Sequence, residues 1–249
     1  MKRITEKNSK KKKSKKNIRL IIVGIFAILI LALFAIRILP TIRSIEITIE
    51  NSENEEARIT KEQVLELAGI KVGDKLYKEL RSQIETRIEA NPYIETAKIS
   101  RNLSGKVAIT VTQRKPEYLI NYAGEYIYID KEGYVLEINP ENNGTPVLIG
   151  LTTDFSELSI GNSKIRLGQS DLEKLDNINN ILGALRSNGI ENTITSIDLS
   201  DKKNYILTLG NDGKEIYLGD GTDINAKALY IKKILEAEAG NSGTIYLNR

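Results

Sequence analysis

The sequence predicts an α+β protein whose two exported domains hang from a single N-terminal transmembrane helix. Three observations lead there. Residues 20–36 hold no charged or amide side chain. Beyond them, two-residue alternation, as in Ile45, Ile47 and Ile49, is mixed with apolar stripes spaced by four, as in Leu80, Ile84 and Ile88. The order of these segments in the first unit, strand, helix, helix, strand, strand, lays helices on a small sheet.

Residues 20–39 are read as the membrane span. Thirteen of the seventeen residues from Leu20 to Ile36 are Leu, Ile, Val or Phe, and at roughly −0.3 to −0.6 kcal/mol each they favour insertion by about 4 to 8 kcal/mol. A helix from Asn17 to Leu39 rises roughly 34 Å, enough for a bilayer core, and Arg37 reaches the outer interface by snorkelling. The alternatives are a cleaved signal peptide and a buried core helix. The first conflicts with the length of the apolar run and the lack of a small-x-small pair across Phe34 to Ile38. The second needs more apolar surface elsewhere than the chain has.

Residues 1–19 carry ten Lys and Arg against the single acid Glu6, a charge of +9 that leaves −6 for the rest of a chain totalling +3. That asymmetry keeps the tail cytoplasmic and exports the remainder. Near anionic lipid each basic residue is worth about 1 kcal/mol. RNA or DNA is the rival partner for such a lysine run, but no aromatic residue interleaves it for stacking; no nucleic acid is expected.

Cysteine and histidine are both absent. Disulfides, thiolate metal sites and Ser-His-Asp or Cys-His nucleophiles are therefore excluded. Neither a cofactor, a metal nor a small-molecule substrate is expected, and the chain is read as a non-enzyme.

Ile45 to Glu50 reads as a half-buried strand followed by a polar loop, Asn51 to Ala57. Thr60-Lys61-Glu62-Gln63 matches a capping box, with Val64, Leu65 and Ala68 as the apolar face of a short helix that Gly69 stops. Ile70 to Tyr77 is an ordered loop. A second helix with the stripe Leu80, Ile84, Ile88 ends near Asn91-Pro92. Strands Ile94 to Ser100 and Val107 to Thr112 flank a turn at Asn102 to Gly105. Pro116 then marks a boundary, because it lacks a donor and restricts Lys115.

Past it, Tyr126 to Asp130, Lys131-Glu132-Gly133 and Tyr134 to Leu136 form a hairpin, and Pro146 to Gly150 a short strand. Ser170-Asp171-Leu172-Glu173 is a second capping box, opening a helix with Leu172, Leu175, Ile178, Leu182 and Leu185 inward until Asn188-Gly189. Strands at Thr195 to Leu199, Tyr205 to Leu209 and Lys214 to Leu218 follow, the last two joined by Asn211-Asp212-Gly213. A final helix spans Asp223 to about Ala239, with Leu229, Tyr230, Ile234 and Ala237 toward the sheet and Lys227, Lys232 and Lys233 outward. Gly243 to Arg249 is a closing strand.

Several of these pieces resemble one family. The strand Ile45-Glu46-Ile47 just after a membrane anchor, the Thr-capped helix ending in Ala68-Gly69-Ile70, Gly73-Asp74-Lys75-Leu76-Tyr77, Asn91-Pro92-Tyr93-Ile94 and Val107 through Pro116 are similar to a POTRA domain. In particular they resemble the membrane-proximal POTRA domain of the bacterial division proteins FtsQ and DivIB. The hairpin with Asp130-x-x-Gly133 and the strand Pro146-x-x-x-Gly150 resemble the start of the family's second, β domain. The resemblance implies a basic tail at 1–19, a span at 20–39, a POTRA domain at 42–115 and an FtsQ/DivIB-type β domain at 116–249 with a largely antiparallel sheet. It also implies a type II protein of the bacterial cell membrane, concentrated at the septum, acting as a divisome scaffold.

Candidate chemistry is sparse. The pairs Asp130 with Glu132, Asp198 with Asp201 and Asp220 with Asp223 all sit at turns, where acids favour local hydrogen bonds; a glycosidase or metal pair is the rival reading. Tyr118, Tyr122, Tyr126, Tyr128 and Tyr134 are read as strand packing, against an exposed binding face. A terminal strand at a sheet edge either completes the sheet or offers its backbone to a partner. The resemblance implies partners like FtsB or DivIC and like FtsL, bound near the last helix and strand. Carried over by position, the contacts are Lys227, Tyr230, Ile231 and Ile234 with Thr244, Ile245, Tyr246 and Leu247. Two rivals remain: a single-POTRA secretion or envelope-assembly component, and a membrane-anchored cell-wall hydrolase, which requires a cleft with paired acids.

Overall fold

The structure, a computed structural model, describes residues 21–31, 40–50, 58–155, 165–190, 194–210, 213–238 and 241–248. The tail at 1–19, residues 20 and 32–39 of the expected span, the polar loop 51–57, and residues 211, 212, 239 and 249 of the elements expected above lie outside them. Residues 21–31 form a helix, α1, with every side chain exposed. Among the described residues no helix is long and apolar enough to cross a membrane.

The first unit is β1 (Ser44–Glu50), α2 (Lys61–Ala68), α3 (Arg81–Glu89), β2 (Ile94–Arg101) and β3 (Lys106–Gln113). Its sheet runs β1-β3-β2, with β1 parallel and β2 antiparallel to β3. Local chemistry sets the helix ends. Thr60 Oγ1 accepts the Gln63 N–H at 3.2 Å while Gln63 Oε1 accepts the Thr60 N–H at 2.8 Å, closing the expected capping box. Gly69 takes the left-handed conformation that ends α2. Val64, Ala68, Ile84 and Ile88 pack on Ile94, Val107, Ile109 and Val111 to form the core.

Two expected core positions here are corrected. Leu80 lies ahead of α3 as its N-cap and is 68% exposed, so the stripe holds only Ile84 and Ile88. Leu65, at 37% exposed, sits on the rim of α2.

The second unit is β4 (Tyr118–Tyr122), β5 (Glu125–Ile129), β6 (Val135–Asn139), β7 (Val147–Ile149), α4 (Gln169–Arg186), β8 (Ile194–Asp198), β9 (Tyr205–Leu209), β10 (Lys214–Gly219), α5 (Ile224–Ala237) and β11 (Thr244–Tyr246). Eight strands form one sheet in the order β11-β10-β9-β8-β7-β4-β5-β6. The sheet is mixed rather than largely antiparallel: β10/β11, β7/β8 and β4/β7 are parallel. Parallel neighbours need a crossover of about a dozen or more residues; α4 supplies it between β7 and β8, and α5 between β10 and β11. Both helices contribute side chains to the main core, including Leu175, Ile178, Leu185, Ala228 and Ile231 against Ile127, Ile197, Leu207 and Ile216.

Three further differences have physical reasons. β4 stands where only tyrosine packing was expected. Tyr118 and Ile120 face the main core while Leu119 joins a second cluster on the opposite face, so its apolar run shows no alternation. The second capping box does not form: α4 starts two residues earlier, with Gly168 rather than Ser170 at its N-cap and no side-chain cap, and Asp171 is fully buried. Finally, α5 is rotated from its expected setting. Ala228 and Ile231 are buried, whereas Leu229 and Tyr230 are 54% and 57% exposed and Ala237 is exposed.

Candidate partner-binding surface

β11 forms one edge of the eight-stranded sheet. Its pairing with β10 places Ile245 opposite Ile216 and Tyr246 opposite Tyr217. The Glu215 N–H donates to Gly243 O at 3.1 Å and the Leu247 N–H to Tyr217 O at 2.8 Å. Backbone direction alternates along a strand, so the N–H groups of Thr244 and Tyr246 point away from β10, toward the open edge. Side chains alternate the other way. Ile245 enters the core, and Thr244 and Tyr246 are exposed.

Tyr246 does not project alone. Its ring stacks on that of Tyr217, 4.9 Å between centroids at 30°, a geometry worth about 0.5–1.5 kcal/mol beyond area burial. The Tyr217 hydroxyl donates to Glu215 Oε2 at 3.4 Å. Glu215's negative charge holds that phenol above its ordinary pKa, with partial burial adding to it. An aromatic ladder with an acid beside it therefore lines the edge.

The candidate residues fall into two groups. Ile231, Ile234, Ile245 and Leu247 belong to, or pack against, the main core and hold α5 and β11 on the sheet. Tyr230, Thr244 and Tyr246 face outward. Lys227 is tied down by its Nζ, which donates to Leu218 O at 2.6 Å; it closes the end of β10 rather than standing free. Leu229, Tyr217 and Glu215 were missed. Leu229 would have been found had the helix face been set by Ala228 and Ile231.

The acid pairs behave as turn residues. Asp198 accepts the Ser200 N–H, Asp201 the Lys203 N–H and Asp220 the Thr222 N–H, each at 2.8–3.0 Å. Asp130 does the same with Glu132 and Tyr134, but is also buried in an ion pair with Arg114. A cleft of about 330 Å³ lies between the β5–β6 turn and α4. Its polar groups are committed to one another: the Tyr118 hydroxyl donates to Asn179 Oδ1 at 2.6 Å, Asn179 Nδ2 to Lys131 O at 2.8 Å and Arg166 Nε to Glu132 O at 2.8 Å. Among the described residues no group of three metal-ligating side chains converges.

Residues 40–114 match the family model described as "POTRA domain, FtsQ-type", and residues 118–246 match "Cell division protein FtsQ/DivIB, C-terminal". The chain belongs to the FtsQ/DivIB family. It is similar to the cell division protein FtsQ of Corynebacterium glutamicum, 25% identical over 90% of this chain and 92% of the relative. It is also similar to the cell division protein DivIB of Clostridium botulinum strain Hall, 30% identical over 76% of this chain and 71% of the relative. FtsQ of Geobacter sp. strain M21 is 25% identical over 66% of this chain. Membership in the FtsQ/DivIB family supports a role in bacterial cell division at the division-site membrane, with division proteins as partners, and indicates no catalytic activity.

Proposed function

We propose that this FtsQ/DivIB-family chain is a single-pass, non-catalytic scaffold of the divisome, required for septum formation. Residues 20–39 anchor it, residues 1–19 stay in the cytoplasm beside anionic lipid, and a POTRA domain at 42–115 and a β domain at 116–249 lie outside. The β domain binds FtsB- or DivIC-like and FtsL-like partners, and the POTRA domain serves recruitment. The observation that carries this reading is the open edge of β11, with outward N–H groups at Thr244 and Tyr246 and exposed Tyr230 and Tyr246 nearby in sequence. An extended segment of a partner adds to such an edge as a further strand.

Capture of the full chain from cells tests it. The wild type retains the FtsB/DivIC-like and FtsL-like proteins and gives a midcell ring when tagged at its N-terminus. Tyr246→Pro removes one outward donor without touching the β10 ladder, as edge strands tolerate, and weakens retention at least about tenfold if the lost contacts are worth roughly 1.4 kcal/mol. Retention of neither partner by the wild type, together with normal septation after depletion, sinks the proposal.

A further inference from the structure

The end of the first unit where the chain enters β1 differs from its other surfaces. Two segments clasp the entering residues. Leu76 donates its N–H to Pro40 O at 2.9 Å, Gly73 to Ile42 O at 2.8 Å, and Ile42 donates to Asp74 O at 2.8 Å. On the other side, the Arg43 N–H donates to Gly105 O at 2.8 Å. Gly105, at φ +91°, lies so close that a Cβ there would sit 2.4 Å from Thr41 O. The loop 70–80 and the turn 102–105 thus flank Pro40 to Arg43.

Of the five large apolar or aromatic side chains that the first unit exposes among the described residues, four are on these two segments: Val72, Tyr77, Leu80 and Leu103, at 44–78% exposure. Around them stand exposed Arg43, Lys71, Lys75, Lys78 and Arg81, with Glu62 and Glu66 of α2 flanking Lys71 and Lys78, against two acids on the segments themselves, Asp74 and Glu79. Both acids are engaged locally. Asp74 Oδ2 accepts the Lys71 N–H at 3.1 Å, and Glu79 pairs with Arg87 at 2.5 Å. This end is cationic on a chain whose residues after Arg19 sum to −6, and apolar where the rest of the unit is polar.

We propose that this face docks on the anionic headgroup layer of the membrane from which the chain emerges, with Leu80 and Leu103 entering the interface and the cations on lipid phosphates. The inference rests on the anchor reading of residues 20–39. Ile42 is three residues past Leu39, hence at most about 10 Å from it, and a headgroup layer is roughly 5–8 Å thick on each side of the hydrocarbon. The segments clasping Pro40 to Arg43 are therefore within reach of that layer, and charge and apolar contact decide whether they settle on it. Tyrosine and long basic side chains with apolar stems suit such a boundary, and the positive charge complements anionic lipid.

The chain contains no tryptophan, so single tryptophans report position cleanly. The full chain is reconstituted in phosphatidylcholine with about a third phosphatidylglycerol, some lipids brominated in their acyl chains near the headgroup. Bromine should roughly halve the emission of Leu80→Trp and Leu103→Trp, and raising salt to about 1 M, where the Debye length is near 3 Å, or replacing Lys71, Lys75 and Lys78 with Gln should restore it. Tyr246→Trp serves as the baseline. No quenching of Leu80→Trp or Leu103→Trp above that baseline overturns the proposal, provided Phe26→Trp is quenched; if Phe26→Trp is not quenched, the anchor reading itself has failed. Equal quenching in pure phosphatidylcholine overturns the choice of anionic lipid. A blue-shifted but unquenched Leu80→Trp places a second copy of the chain on the face and overturns the proposal as well.

Discussion

Asp171 is fully buried, yet it accepts four hydrogen bonds: from the Thr152 N–H and hydroxyl at 2.8 and 3.0 Å, and from the Thr153 N–H and hydroxyl at 2.7 and 2.6 Å. Lys174 Nζ lies 3.6 Å away and donates to Gly150 O at 2.6 Å. Burial alone raises a carboxyl pKa; here the bonds from Thr153 and Thr152 outweigh it and hold Asp171 below the ordinary aspartate value. Because the folded pKa is depressed, the stabilising contribution is complete above the unfolded value near 3.8 and is lost as pH falls through the lower folded one. Asp171→Asn should therefore cost about 1.5–3 kcal/mol at neutral pH, and the gap to wild type should narrow in acid. Urea unfolding of the detergent-solubilised chain at both pH values checks this, and a gap independent of pH sinks it. In sequence Asp171 read as the second residue of a capping box, because Ser170-x-x-Glu173 imitates one. Nothing local reveals that Thr152 and Thr153, eighteen or more residues upstream, return to cover it.

At the scale of elements, α5 separates what the sequence specifies from what it leaves open. Leu229, Tyr230, Ile231 and Ile234 with Ala228 offer two overlapping apolar faces, and periodicity does not say which one meets the sheet. Packing against Ile216 and Ile245 selects Ala228 and Ile231, leaving Leu229 and Tyr230 for solvent or a partner. Ile231→Ala should cost about 2–5 kcal/mol in the unfolding of the chain, whereas Tyr230→Ala should stay within about 0.5 kcal/mol while weakening partner capture. If Tyr230→Ala destabilised the protein as much as Ile231→Ala, the observed rotation of the helix would be wrong. Elsewhere local rules sufficed. β1 alternates, α2 carries a complete capping box and a left-handed glycine stop, and β2 and β3 flank a four-residue turn; each follows from residues within a few positions. β4 was invisible for the opposite reason, since Leu119 is buried on one face and Tyr118 and Ile120 on the other. The outward residues of the candidate surface, Tyr230, Thr244 and Tyr246, were legible from position and resemblance, but the core role of Ile231 was not.

Across the whole molecule, the two units are joined by more than a peptide link. Tyr93, in the turn just ahead of β2, packs on Leu119, Tyr128 and Leu136, the face of the large sheet opposite α4 and α5. Burial, then the negative charge of Glu137, pushes its phenol well above the ordinary value, and Glu137 lies 3.8 Å from Arg58 of the first unit. Beyond β3, Arg114 is only 6% exposed. It donates its N–H to Tyr93 O at 2.8 Å, pairs through its guanidinium with Asp130, reaches Glu132 Oε2 at 3.1 Å and lies 4.0 Å above the Tyr134 ring. Burial disfavours its charge, but the bonds to Asp130 and Glu132 more than offset that, so its pKa is raised. An arginine tied by its backbone to Tyr93 of the first unit and by its guanidinium to Asp130, Glu132 and Tyr134 of the second fixes orientation, because the planar fork and the ring stack admit one geometry and lysine cannot reproduce it. If residues 20–39 set the first unit against the bilayer, this junction sets where the β11 edge points. The absence of cysteine makes the consequence measurable, with spin labels on Lys98→Cys and Lys232→Cys. The wild type should give one narrow distance distribution. Arg114→Ala, which strands Asp130 in a buried site at a cost of about 3–5 kcal/mol, should broaden it, and so should Tyr93→Ala, which removes packing while keeping the ion pair. A distribution that stays narrow in a folded Tyr93→Ala variant would show that Tyr93 does not set the angle between the units, and one that also stays narrow in Arg114→Ala would leave the fixed orientation without a cause in this junction.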